Sequence, residues 1–163
     1  MKRFFKRHQP VPVLRVISIS GLGAFLAVLL MGAITSYGSL PLMIAPFGAS
    51  CVLLFASHTS SWSQPINVVG GHFVSALVGL ALASVWPSSI VVAAAAVAFA
   101  LMAMMVLRVA HPPAGAIAFV AYSANVSWMF LLFPVLAGSV VLVGLAFVYH
   151  AVTEAQYPLH LPK

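Results

Sequence analysis

The sequence predicts an all-α integral membrane protein. It has four long transmembrane helices plus two short Pro/Gly-broken helices, arranged as an internal two-fold repeat, with the inverted form favoured over the parallel one. Three observations predict this. The 163 residues are 63% hydrophobic and only 5% charged, whereas soluble domains carry about 25% charged residues. Four apolar runs approach the ~20 residues needed to cross a ~30 Å hydrocarbon core. Two further apolar runs each carry the tetrapeptide pattern P-x-G-A.

The elements follow in order. Residues 1–13 form a basic tail with Lys2, Arg3, Lys6 and Arg7, and Arg15 opens the first run. Lysine and arginine are retained on the cytoplasmic side, so the N-terminus is expected inside, with the plasma (inner) membrane of a bacterium as the expected location. The first run, Leu14–Ser36, is long for a signal-peptide core and ends in a poor cleavage site, so a retained helix is expected. Leu40–Ala56 is apolar but interrupted at Pro46. Ile66–Trp86 and Ser88–Arg108 are the second and third long runs. His111–Ser123 is the second interrupted segment. Met129–His150 is the fourth long run, and residues 154–163 form a tail. Proline suits a first helical turn because its missing N–H would be unpaired there. Pro46 and Pro113 therefore read as helix starts preceded by extended chain.

The interrupted segments match each other. Pro46-Phe47-Gly48-Ala49 recurs as Pro113-Ala114-Gly115-Ala116, and Val78-Gly79-Leu80-Ala81 recurs as Val143-Gly144-Leu145-Ala146, at nearly the same spacing. One membrane domain, 14–153, is thus expected as two repeats, about 14–86 and 88–153. If the broken segments cross, the halves are inverted, and Arg108 shares the N-terminal side. If they re-enter, Arg108 falls on the other side. Positive-inside favours crossing.

Inverted repeats bring two helix N-termini together near mid-membrane, where unpaired N–H groups and the helix dipole attract anions. The expected substrate-binding residues are Pro46, Gly48, Ala49, Ser50, Asn67, His72, Arg108, His111, Pro113, Gly115 and Ala116. Gly48 and Gly115 allow close approach of a ligand to the backbone. Arg108 either meets the ligand or snorkels to the interface. His111 caps the helix, binds the ligand or titrates. Asn67, His72, Ser50 and Ser75 either line the path or bond neighbouring helices. The chain has one acid, Glu154, and one cysteine, Cys51. Paired-carboxylate catalysis, acidic or cysteine-cluster metal sites and a disulfide are excluded, no cofactor is expected, and no enzyme motif is present. Outside the tail there is no basic stripe for nucleic acid. The expected partners are a small inorganic anion and the lipid bilayer, with a homo-oligomer also open. A channel for a small neutral solute and a non-transporting scaffold or accessory subunit are the alternatives.

Ala45–Phe55 (APFGASCVLLF), Gln64–Gly79 (QPINVVGGHFVSALVG) and His111–Ala116 (HPPAGA) resemble the HPP family of small integral membrane proteins, over roughly residues 13–150. The resemblance implies four transmembrane helices and small-anion transport, with nitrite the leading substrate. The family's signature residues fall on Pro46, Gly48, Asn67, Gly71, His72, His111, Pro112, Pro113 and Gly115.

Overall fold

In the computed structural model, residues 5–7, 9–38 and 40–159 are described. Lys2, Arg3, His8 and His160 lie outside them. The described residues are helical, with no strand among them. Six helices follow in order. They are α1 (Leu14–Tyr37), α2 (Ala45–Ala56), α3 (Pro65–Val85), α4 (Ile90–Val106), α5 (a 3-10 turn, Pro112–Ala114, running into Gly115–Ser123) and α6 (Leu131–Val152).

Helices α1, α3 and α6 are long and apolar enough to cross a membrane. The third run expected from sequence, Ser88–Arg108, is shorter than that. Helix α4 has 17 residues, about 26 Å at 1.5 Å per residue. The Ser89 side chain caps its start by accepting from the Val91 N–H, and Arg108 ends it in a left-handed turn at φ 59°. The fourth run, expected as an unbroken helix over Met129–His150, is also corrected. Pro134 sits inside it and Phe133 is extended at φ −131°, ψ 121°, so regular helix begins only at Ala137. Proline removes one helical N–H and clashes with the preceding turn.

The two interrupted segments do start helices at their prolines. Pro46 lies in the first turn of α2 after extended Ile44. Pro112 and Pro113 open α5 after extended His111. Each helix is about 12 residues and about 18 Å long, and cannot cross alone.

Chain direction alternates along the sequence. At one end the start of α1 meets the ends of α2 and α6. Ser20 Oγ donates to Phe55 O and Tyr149 Oη donates to Ile19 O. Residues 57–64 lie at this end too, since Tyr157 Oη reaches Ser63 O. So does the connection after α4, where Asn67 Nδ2 donates to Ala110 O. At the other end Leu42 N–H bonds Thr35 Oγ1, and Tyr122 Oη donates to Pro87 O. Successive helices therefore run in opposite directions.

Packing is exchanged between the halves. Helix α3 packs on α4 and α5, and α6 packs on α1 and the end of α2, while α3 and α6 touch each other. Small residues permit the closest crossing. Gly71, Ser75 and Gly79 recur at every fourth position along one face of α3 and press on the Val109–Ala121 segment. A Cβ on Gly71 would lie 2.9 Å from Val109 O, and one on Gly79 would lie 2.5 Å from Ala118 O. Gly144, by contrast, meets nothing within 4 Å. The two V-G-L-A stretches are therefore not equivalent places. At the spacing that separates Pro46 from Pro113, Gly79 pairs instead with Ala146, which is buried among α1 and α2 residues.

Candidate functional site

The start of α2 and the start of α5 come together against α3. Three side chains meet there, Ser50, His72 and His111, each with no solvent exposure. Ser50 lies one turn into α2, and its Oγ is 2.9 Å from His111 Nε2 and 3.4 Å from His72 Nε2. It also lies 3.3 Å from the carbonyl of Pro46. The imidazole centroids are 4.9 Å apart. The Phe47 ring stands nearly perpendicular to His72, at 5.1 Å.

Hydrogen bonds define which ring nitrogens carry hydrogen. His72 Nδ1 is 2.8 Å from Val68 O, one turn back along α3. His111 Nδ1 is 2.7 Å from Trp62 O, in the short turn before α3. A carbonyl only accepts, so both Nδ1 atoms donate. In neutral rings both Nε2 atoms are then lone pairs, and both point at the Ser50 hydroxyl. Carbonyl-tethered imidazoles are held in fixed orientation, as at ligand-binding sites generally.

The structure brings together only part of the expected set. Ser50, His72 and His111 form the cluster, and Pro46 O touches it. Asn67 is half-buried one turn before His72 and ties α3 to the chain entering α5 through Ala110 O. Pro113 and Gly115 are half-buried. Gly48, Ala49 and Ala116 face outward, and Cβ atoms on Gly48 and Gly115 would meet nothing within 4 Å. Arg108 is exposed in the turn after α4, outside the cluster.

The first backbone donor after each of the two prolines is engaged. The first N–H after Pro46, on Phe47, donates to Ile44 O, and the first after Pro113, on Ala114, donates to His111 O. Ser75 Oγ donates to Ala114 O and accepts from Ala118 N–H.

Two histidines given no role by the sequence reading also meet. His58 and His150 stack at 4.5 Å at the end where α1 starts. His150 Nε2 donates to Leu54 O, while its Nδ1 has no partner. They line a cavity of about 450 Å³ with Arg15 and Glu154. Burial, and then the neighbouring His150, holds His58 below the usual histidine range. No spacing signal links two residues so distant in the chain. The clue in the sequence is only that both end apolar runs.

The sequence profile described as "HPP, transmembrane region" matches residues 9–158. The chain belongs to the HPP family. It is thereby an integral membrane protein. Two relatives occur in Dictyostelium discoideum, each described as a transmembrane protein. One is 30% identical over 167 residues, covering 94% of this chain and 59% of its own length. The other is 33% identical over 126 residues, covering 72% and 40%. The chain thus spans about half the length of the curated relatives it matches. No solved structure matches this HPP chain.

Proposed function

We propose that this HPP-family protein carries a small monovalent anion, nitrite first, across the membrane. The plasma membrane of a bacterium is the membrane we assign, with both chain ends and Arg108 on its cytoplasmic side. The observation that carries this reading is the Ser50–His72–His111 cluster. It is fully buried, and it lies where two half-length helices begin inside the protein. Broken helices meeting at a polar site are the recurring plan of repeat-built transporters.

The inverted repeat is part of the proposal, and two reciprocal contacts support it. A Cβ on Gly71 would sit 2.9 Å from Val109 O, and one on Gly138 would sit 2.9 Å from Leu42 O. Gly71 precedes Gly138, and Leu42 precedes Val109, by the same offset that separates Pro46 from Pro113. A two-fold operation exchanging the halves would turn one contact into the other. The polar residues break that symmetry. At the same offset His72 maps to Ser139, Ser50 to Ile117 and His111 to Ile44. Ser50 and His72 come from the first repeat and His111 from the second, and neither Ser50 nor His111 has a polar counterpart across the two-fold.

The test is nitrite uptake by vesicles reconstituted with the purified protein. Uptake clearly faster than in empty vesicles is expected, with a loss of about tenfold or more in His111→Ala, the scale of one buried hydrogen-bond partner. Uptake equal to empty vesicles refutes anion transport. Full uptake in the folded His111→Ala variant moves the site elsewhere.

A further inference from the structure

We propose that the Ser50–His72–His111 cluster is a proton site, and that the anion crosses together with one proton seated on it. The inference rests on the anion-transport reading and names its coupling ion.

A count of hydrogens carries it. His72 and His111 each spend their one N–H on a carbonyl, of Val68 and of Trp62. Two Nε2 lone pairs and the Pro46 carbonyl then face the Ser50 hydroxyl, which has one hydrogen to give. Its shortest contact is to His111 Nε2, at 2.9 Å. The His72 Nε2 lone pair, at 3.4 Å from the same oxygen, is left without a donor. One added proton completes the set. It bonds to His72 Nε2, that N–H donates to Ser50 Oγ, and Ser50 donates on to His111 Nε2. Passing each hydrogen one step along leaves the charge on His111, so the hydroxyl links two seats for a single proton.

The neutral cluster presents lone pairs and repels an anion. The protonated cluster carries one positive charge in a buried place, which is costly without a partner. No fixed partner is at hand among the described residues. From α2 the cluster meets Ser50 and the Phe47 ring, and from the 61–63 turn the Trp62 carbonyl. On α3, Asn67 and Ser75 flank it and are bonded to backbone carbonyls. Met104 and Met105 of α4 line the cavity beside His111, and Gly138 of α6 abuts Phe47. None of these is charged. Glu154, the chain's single acid, lines the cavity at the end of the protein. The mobile anion is therefore the counter-charge. Proton and anion each raise the affinity for the other, as linkage requires.

Two measurements test this on the full chain. Vesicles holding a pH-sensitive dye are given an inward nitrite gradient at equal pH on both sides. Acidification beyond that of empty vesicles is expected, at about one proton per nitrite, and His72→Gln is expected to lower that ratio. Nitrite entry without acidification overturns the proposal and leaves anion transport standing. Independently of flux, nitrogen-15 NMR of the unsubstituted, histidine-labelled protein follows the His72 and His111 Nε2 atoms as pH falls with nitrite present. One Nε2 gaining hydrogen is expected. Two rings that stay neutral overturn the proton site. A normal titration with no nitrite entry overturns the anion reading and not the proton site.

Discussion

Replacing Gly79 by alanine tests the α3–α5 crossing on which the site depends. The new methyl would lie 2.5 Å from Ala118 O and 2.8 Å from Ala121 Cβ. Neither neighbour is the end of a flexible side chain, so the helices must separate by about 1 Å to restore ordinary contact near 3.5 Å. Overpacking of this kind costs roughly 1–3 kcal/mol. Alanine returns about 0.5–1 kcal/mol through helix propensity. The net expectation is a loss of about 1–2 kcal/mol, or about 2–8 °C in Tm at the 2–4 °C per kcal/mol of a chain this size. Gly144→Ala is the matched control, because its methyl meets nothing and only the propensity gain applies. Thermal unfolding in detergent, followed by circular dichroism, separates the two. Equal effects, or a gain from Gly79→Ala, would refute the close crossing.

Three other outcomes are expected. Ser75→Ala should cost under about 1 kcal/mol, because Ala118 N–H and Ala114 O, the groups its hydroxyl bridges, can bond each other directly along α5; a loss above about 2 kcal/mol in the same assay contradicts this. Gly115→Ala should fold and gain a few tenths of a kcal/mol, since its methyl enters open space; failure to fold would mean that α5 is covered there. Because His58 is held below its usual range by burial and then by His150, the unfolded chain takes up the proton first. Its contribution is full above about pH 6.5 and declines as pH falls below that value. His58→Gln should flatten this acid limb of a Tm-versus-pH curve, and an unchanged limb counts against it.

The fold was legible where a residue type has one strong local consequence. Pro46 and Pro113 start helices because proline suits the first turn, and both do so at the expected place. Pro134 went unread because an apolar run of full length surrounds it, although the same ring chemistry breaks α6. The V-G-L-A match misled because small apolar tetrapeptides recur by composition. Gly71, Ser75 and Gly79 were a better signal, since spacing by four puts them on one helical face. In the site, Ser50, His72 and His111 were legible as polar groups in apolar runs. Their convergence was not, because it depends on how α2 and α5, distant in the chain, meet against α3. The carbonyl of Trp62 that orients His111 carries no sequence signature at all.

The two ends of α2 are held by different kinds of force. At its far end the carbonyls of Leu53, Leu54 and Phe55 accept from Ser63, His150 and Ser20. Its beginning is held by the packing of Phe47 against Gly138 and His72, with Ser50 as the polar contact to neighbouring helices. Apolar surfaces slide past one another more readily than directional bonds break. Mechanically, α2 is a beam clamped at its base, and it carries the hydroxyl between the two imidazoles midway along its length. A small tilt about the clamp would lengthen the Ser50 contacts first while the base stayed closed.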